Sequence, residues 1–214
     1  MNWMKKVAVA LVCLLPLGLQ AAKVDTLQVK SPSMNKSIEV VVVSPDVAAT
    51  KACPVIYLLH GYGGNARTWV GIKPDLSKIA DEKGIFFVCP DGKNTWYWDS
   101  PLNADVRYET FISDELVKYV DSHYKTVADR KGRAITGLSM GGHGAMWNGL
   151  RHSDVFSAAG STSGGVDIRP FPKSWSMVKK SESVWAIAGN VATVIQKRLN
   201  TCFLYILKDI MYCF

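Results

Sequence analysis

Several patterns typical of specialised proteins are missing from this 214-residue sequence. It contains no internal repeat, no block of like charges and no low-complexity segment, which argues against repeat, fibrous and largely disordered proteins. No Cys-x-x-Cys spacing occurs, so zinc has no support, and we expect no metal or other cofactor. Histidine is scarce, with single residues at positions 60, 123, 143 and 152 and none beyond.

A strong excess of one charge is also missing. The chain has 25 basic and 18 acidic residues, and without Lys5 and Lys6 the balance is 23 to 18, a net charge of +5. This excess is mild and scattered, so it does not indicate binding to nucleic acid. A hydrophobic content of 48% and a charged content of 20% are ordinary for a globular protein, and the length suffices for one domain with a substantial core.

The first 22 residues are typical of a secretory signal peptide. Lys5 and Lys6 precede an apolar stretch over residues 7–19, and Gln20-Ala21-Ala22 offers small residues for cleavage. The apolar stretch is too short for a convincing membrane span. We therefore predict a protein that is secreted or periplasmic, with no stable membrane span after signal cleavage.

Four cysteines follow the predicted signal peptide. Cys53 opens one apolar run and Cys89 closes another, so in neighbouring parallel strands they would lie at opposite ends of the sheet. That separation exceeds the roughly 7 Å between Cα atoms that a disulfide allows, and we predict two core thiols. Cys202 and Cys213 could pair only if the C-terminal segment folds back on itself.

Hydrophobic periodicity predicts an alternation of strands and helices. The predicted strands cover residues 26–30, 38–43, 55–59, 85–89, 133–138 and 156–160, and the predicted helices cover residues 75–83, 108–124 and 140–150. The first two strands are expected to form an antiparallel pair, whereas the later ones are joined through helices. This order predicts an α/β protein with a mostly parallel sheet, right-handed crossovers and helices on both faces.

The pentapeptide Gly137-Leu138-Ser139-Met140-Gly141 fits the G-x-S-x-G pattern of a nucleophile elbow. A predicted strand precedes it and a predicted helix follows, and the glycines suit a turn too tight for larger side chains. Such a turn exposes the serine hydroxyl at a helix N-terminus, where free N–H groups and the helix dipole favour an oxyanion. The alternative is a chance match in a glycine-rich loop.

Two further loops are expected at the carboxyl ends of the strands, where functional groups of such sheets gather. In the loop at residues 59–64, the N–H of Tyr62 is predicted to form an oxyanion hole together with the N–H of Met140. Here the alternative is a glycine-rich turn without a catalytic part, and His60 is expected to brace the loop. In the loop at residues 90–101, Trp96, Tyr97 and Trp98 suit stacking on a sugar or an aromatic acid, or else they anchor the loop.

Three ordered motifs carry a resemblance to a known family. They are Leu59-His60-Gly61-Tyr62-Gly63-Gly64, the loop from Pro90-Asp91-Gly92 to Asp99-Ser100-Pro101, and the segment from Gly137 to Ala145. Together they resemble the esterase D family of α/β-hydrolases, especially its secreted bacterial branch near feruloyl and acetyl xylan esterases.

The resemblance covers residues 26–172 and implies an α/β-hydrolase fold. It also implies a serine nucleophile at Ser139, an oxyanion hole from Tyr62 and Met140, and a small-molecule or polysaccharide ester as substrate. A mycolyltransferase-like acyl transfer is a further alternative. His143 matches a family position, but on the helix behind the elbow a packing role is expected.

The chain departs from the family after about residue 173. The family order places an acid and then a histidine after the nucleophile. Here the later acids are Asp154, Asp167, Glu182 and Asp209, and no histidine follows any of them. We therefore expect a hydrolase core over residues 23–173 and a divergent, helical tail over residues 174–214. The tail fits a chain truncated relative to the family or a variant cap. The expected outcome is an impaired serine esterase or an inactive domain that at most binds ligands.

Overall fold

The computed structural model describes residues 22–165, in which six strands form one mixed sheet. The spatial order is β1-β2-β4-β3-β5-β6. The strands are β1 (Lys23–Ser31), β2 (Lys36–Ser44), β3 (Val55–Leu59), β4 (Phe86–Pro90), β5 (Arg133–Gly137) and β6 (Ala158–Ala159). Pairing is antiparallel between β1 and β2 and between β2 and β4, and parallel from β4 through β3 and β5 to β6. The predicted α/β class is thus confirmed, as is the antiparallel opening pair.

Helical segments connect the strands of the described part of the chain. They are α1 (Thr68–Ile72), α2 (Leu76–Lys83), α3 (Tyr108–Thr110), α4 (Leu116–His123) and α5 (Met140–Arg151). A π-helical turn, Phe111–Glu115, joins α3 to α4, and short 3₁₀ turns lie at Asp46–Ala49 and Arg130–Gly132. The periodicity predicted α2, the α3–α4 stretch and α5, whereas α1 and the 3₁₀ turns carry too few apolar positions to show a period.

The sheet is covered on both faces because its central strands are apolar on both. Val41, Val43, Ile56 and Leu58 belong to one core cluster, which also holds side chains of α1 and α2. The other face is packed against side chains of α4 and α5. Two buried faces explain why the strand sequences are continuously apolar and do not alternate.

This layering places the topological switch point of the sheet between β3 and β5. The two strands are parallel neighbours, with Leu59 of β3 opposite Gly137 of β5 at their carboxyl ends. The chain leaves β3 towards the α1–α2 face and leaves β5 into α5 on the other face. Connections that diverge from adjacent strands open a crevice at the carboxyl edge, where ligands bind in open α/β sheets.

The two predicted core thiols are confirmed. Cys53 and Cys89 are both buried and free, and burial raises the pKa of each thiol because it disfavours the thiolate. Residues 1–21 of the predicted signal peptide, the tail over residues 174–214, and Cys202 with Cys213 lie outside the described residues, whereas Ala22, the last residue of that predicted peptide, is described. Across residues 22–165, no helix is both long and apolar enough to cross a membrane.

Candidate active site

Ser139 occupies a strained turn between β5 and α5. Its backbone has φ 54° and ψ −118°, and it is the N-cap of α5. Positive φ is uncommon for a non-glycine residue and costs about 1–3 kcal/mol, which the surrounding structure must offset. The serine is exposed although Gly137 and Met140 beside it are buried. The elbow predicted from the G-x-S-x-G pattern therefore has the expected geometry.

The glycines of the elbow are required by close backbone contacts. A Cβ atom on Gly141 would lie 2.1 Å from the carbonyl oxygen of Leu59, the last residue of β3. A Cβ atom on Gly137 would lie 2.5 Å from the carbonyl carbon of Gly141. The start of α5 thus packs directly on the backbone of β3, and this contact sets the direction in which Ser139 projects.

A third loop, which the sequence motifs did not identify, holds the elbow from the β6 side. The N–H of Ser139 donates to the carbonyl of Thr162 at 2.8 Å, and the N–H of Thr162 donates to the carbonyl of Gly137 at 2.9 Å. The only sequence signal was the glycine and serine content of residues 160–165, which marks a turn without assigning it a position.

The loop after β3 lies against the serine. A Cβ atom on Gly61 would be 3.5 Å from Cβ of Ser139, so the two backbones are close neighbours. The N–H of Gly64 donates to the carbonyl of Gly61 at 3.1 Å, and Gly63 has φ 79°. This is a tight turn with Tyr62 at its second position, and a positive φ at the third position is typical of type II.

The two predicted oxyanion donors are both available. Among residues 22–165, no acceptor is found for the N–H of Tyr62 or for that of Met140, the first residue of α5. The turn that carries Tyr62 is held by Asn94, whose Oδ1 accepts from the N–H of Gly63 at 2.7 Å. Two unpaired N–H groups beside an exposed serine can stabilise a negative oxygen at that position.

His60 braces this loop from below, as the sequence suggested. Its side chain is buried, and Nε2 accepts from the N–H of Gly92 at 2.9 Å. The proton therefore resides on Nδ1, which donates to the carbonyl of Gly61 at 2.7 Å. The backbone N–H of His60 also donates to the hydroxyl of Tyr97 at 2.9 Å. With both ring nitrogens engaged, His60 connects the oxyanion loop to the loop after β4.

A buried carboxylate supports the same junction. Asp91 is 4% exposed and lies 3.5 Å from Nε2 of His60, and its other oxygen accepts from Nζ of Lys93 at 2.6 Å. Burial opposes ionisation of Asp91, but the ammonium and the backbone N–H of Lys93 both donate to the carboxylate, outweigh burial and hold the pKa of the carboxyl well below its usual range. Asp91 therefore stays ionised at neutral pH.

The aromatic loop is largely inside the protein. Exposure is 6% for Trp96, 0% for Tyr97 and 7% for Trp98. The ring of Tyr97 occupies the space where a Cβ atom on Gly92 or Gly144 would lie. These contacts favour the anchoring alternative over ligand stacking, and the substrate-binding role of the three aromatic residues stays a prediction.

The histidines of the elbow helix point elsewhere. His143 is buried, its Nδ1 lies 2.7 Å from the carbonyl of Gly165, and its ring stacks on Trp147. Burial lowers the pKa of His143, and the hydrogen bond to Gly165 offsets this only in part. His152 donates from Nε2 to Glu109 at 2.9 Å.

The remaining histidine, His123, lies near the amino-terminal end of β4, whereas Ser139 follows the carboxyl-terminal end of β5. His123 ends α4, and its Nδ1 contacts the carbonyl of Tyr119 at 2.8 Å. It lines a cavity with Phe86, the first residue of β4. All four histidines of the chain lie within residues 22–165, and none hydrogen-bonds with the hydroxyl of Ser139.

Glu109 binds side chains near the C-terminal end of α5, the end away from Ser139. This carboxylate is 7% exposed and accepts hydrogen bonds from Trp147 at 2.7 Å, Arg151 at 2.6 Å and His152 at 2.9 Å. Burial alone would raise the pKa of Glu109, but these three donors outweigh it and lower the pKa. One side chain of α3 thus holds three side chains at the C-terminal end of α5.

The lowered pKa of Glu109 predicts an acid-sensitive contribution to stability. It is fully present above the unfolded value of about 4.3 and is lost as the pH falls through the lower folded value. We expect Glu109→Gln to cost about 2 kcal/mol of unfolding free energy at pH 7, because hydrogen bonds to a charged group are replaced by weaker ones. The cost should shrink as the pH falls below that unfolded value.

Urea unfolding between pH 3 and 7 measures this difference. The matched control is Asp114→Asn, whose carboxylate pairs with Lys118 on the exposed surface of the same helical stretch. That pair should contribute less than about 1 kcal/mol at any pH. Equal, pH-independent losses in the two variants would show that Glu109 does not hold α5.

Fold and site together define the class of protein. The sheet is mixed and has helices on both faces, and a strained serine lies between β5 and α5 beside two N–H groups that find no acceptor among residues 22–165. These are the features of an α/β-hydrolase with a nucleophile elbow. The chain belongs to the esterase family, whose family model matches residues 31–201. This match continues past residue 173, after which the sequence was expected to depart from the family.

Individual relatives agree with this membership. Esterase Rv1288 of Mycobacterium tuberculosis is 31% identical over 149 residues, which is 66% of this chain and 32% of that protein. The diacylglycerol acyltransferase/mycolyltransferase Ag85A of Mycobacterium leprae is 32% identical over 158 residues, 67% of this chain and 44% of that protein. A solved ferulic acid esterase has a TM-score of 0.60 and 32% identity, covering 69% of this chain and 60% of that one. The chain thus spans only part of the length of each relative.

Proposed function

We propose that the chain carries the nucleophile and oxyanion hole of an exported serine hydrolase that acts on carboxylic esters, such as feruloyl or acetyl esters of plant polysaccharides. In this proposal Ser139 attacks the ester carbonyl, and the N–H groups of Tyr62 and Met140 hold the negative oxygen. One observation supports this proposal most directly. Ser139 is exposed, has a positive φ and lies beside two N–H groups that have no acceptor among residues 22–165. The likeness to a ferulic acid esterase supports the choice of ester.

The second part of the proposal is that the 214-residue chain by itself turns esters over very slowly. A serine hydroxyl needs a neighbouring base to become a good nucleophile. His60, His143 and His152 are engaged in other contacts, and His123 lies near the amino-terminal end of β4. The rate that remains would come from the oxyanion hole and from substrate binding.

Acyl transfer to a sugar hydroxyl is a second candidate function. The same elbow and oxyanion hole can form an acyl-enzyme that an alcohol, in place of water, then attacks. The similarity to a mycolyltransferase over 67% of this chain favours this candidate. Product analysis with an activated ester and a disaccharide acceptor distinguishes the two, since transfer yields an acylated sugar and hydrolysis yields the free acid.

The oxyanion hole can be tested at Tyr62 without disturbing the loop. Proline has no N–H, and the second position of a type II turn accommodates it well. We expect Tyr62→Pro to lower the residual p-nitrophenyl acetate rate about 100-fold, as expected for loss of one oxyanion donor. Tyr62→Ala keeps the N–H and is the matched control for loss of the ring. Equal rates in the two variants would show that this N–H does not contact the developing oxyanion.

A further inference from the structure

The first residue described by the structure is tied to a carboxylate. The main-chain nitrogen of Ala22 donates to Oδ2 of Asp81 on α2 at 2.8 Å, and Oδ1 of Asp81 accepts from the N–H of Asp46 at 2.8 Å. Ala22 is 9% exposed and belongs to the core cluster that contains Val41 and Val43. The residue at the predicted signal-peptide boundary is therefore part of the folded core.

We propose that the exported chain is cleaved between Ala21 and Ala22, and that the new α-ammonium of Ala22 forms an ion pair with Asp81. This inference rests on the proposed export signal and not on ester hydrolysis. One water adds across the peptide bond in the signal-peptidase reaction, leaving a carboxylate on Ala21 and an ammonium on Ala22. Cleavage precedes folding during export, so the burial of Ala22 in the folded protein is no obstacle.

Charge makes this pairing stronger than the one an uncleaved chain could form. An internal Ala22 offers a single neutral N–H, whereas the terminal ammonium offers three donors and a positive charge, with an ordinary pKa of about 7.7–8.0. Either donor bonds to an ionised carboxylate, but only the ammonium adds the Coulomb attraction between two opposite unit charges. Asp81 is half-buried, and among residues 22–165 no lysine, arginine or histidine side chain forms an ion pair with it. The ammonium would supply its missing counter-charge.

The alternative cleavage point fits less well. The small residues Ala21 and Ala22 both suit a cleavage site, so the sequence leaves open whether the bond after Ala21 or the bond after Ala22 is cut. Cleavage after Ala22 would remove the donor that Asp81 binds. It would also leave Lys23 as the first residue, and its side chain already pairs with Asp25 at 2.9 Å.

Mass spectrometry of the exported chain tests the cleavage point. The expected N-terminal residue is Ala22. A mature chain that begins at Lys23 or elsewhere, or one that keeps its leader, overturns the proposal.

A second measurement tests the ion pair independently of export. Chains beginning at Ala22 are prepared from a fusion whose removal leaves no extra residue, with the terminal amine either free or acetylated. Acetylation keeps an N–H but removes the charge. We expect acetylation to lower the melting temperature of the parent chain by about 3 °C or more. In the Asp81→Asn variant, acetylation should lower the melting temperature by less than about 1 °C.

Glu82→Gln, next to Asp81 on α2, is the matched control and should respond to acetylation like the parent chain. Equal effects of acetylation on the parent chain and on Asp81→Asn overturn the ion pair. If Asp81→Asn does not fold, acetylation of the parent chain alone still tests the ion pair. If the ammonium is unpaired, acetylation should leave the melting temperature of the parent chain unchanged. Ester turnover enters neither readout, so the esterase proposal can fail without affecting this test.

Discussion

The purified 214-residue chain is expected to hydrolyse p-nitrophenyl acetate about 10⁶-fold more slowly than a serine hydrolase with an intact triad. Loss of triad function typically leaves roughly 10³–10⁴-fold acceleration over water, supplied by the oxyanion hole and binding. The deficit corresponds to about 8 kcal/mol of activation free energy. Its cause here is that Ser139 has no histidine to accept its proton, because the four histidines make other contacts or, in the case of His123, lie near the amino-terminal end of β4.

The Ser139→Ala variant separates this interpretation from that of an active enzyme. If the hydroxyl is not activated, its removal should change the residual rate by less than tenfold, and a fluorophosphonate probe should label Ser139 slowly or not at all. Rapid stoichiometric labelling would contradict the prediction. So would a turnover rate above about 1 s⁻¹ that Ser139→Ala abolishes, since either result requires a base that reaches the serine.

Gly141→Ala is expected to destabilise the fold by more than about 4 kcal/mol. The new methyl group would lie 2.1 Å from the carbonyl oxygen of Leu59 and 2.7 Å from that of His60. Both neighbours are backbone atoms of β3 and the loop that follows it, so α5 must move away from the sheet as a unit. Whole domains are stable by only about 5–15 kcal/mol, and a cost of this size should reduce soluble yield as well as the urea midpoint.

Gly71→Ala is the matched control for this substitution. Gly71 is exposed, one residue before the end of α1, and a Cβ atom there would meet nothing within 4 Å. Replacing it should leave stability unchanged or raise it by up to about 1 kcal/mol, because alanine favours the helix. A Gly141→Ala variant within about 1 kcal/mol of the parent would show that the elbow helix can shift away from β3 at little cost.

The aromatic loop illustrates how composition misleads about exposure. Trp96, Tyr97 and Trp98 follow a buried strand in a polar segment, which is the pattern of a ligand platform as much as of an anchor. Their rings are nearly inaccessible, and the hydroxyl of Tyr97 bonds to the backbone of His60. Which side of a loop faces inwards depends on glycines distant in sequence, such as Gly144, that leave room for a ring.

Local patterns in the sequence were sufficient for the order of the six strands, for α2, the α3–α4 stretch and α5, and for the elbow. The run at residues 55–59 coincides with β3, and the predicted helix at residues 140–150 ends one residue before α5 does. These signals are strong because a strand buried on both faces must be apolar throughout, and because the strained serine turn tolerates little except glycine two positions to either side of the serine. The absence of a histidine after position 152 is likewise a property of the sequence alone.

Tertiary structure alone decided which distant groups meet around Ser139. The contact of Gly61 with the serine, the hydrogen bond from Ser139 to Thr162, and the attachment of Gly63 to Asn94 each join segments that the sequence separates widely. Such contacts follow from strand order, since β3 and β5 become neighbours only when β4 pairs on the other side of β3. Periodicity reports the local environment of a residue but carries no information about its partner across the sheet, so the sequence could name the donors without placing them.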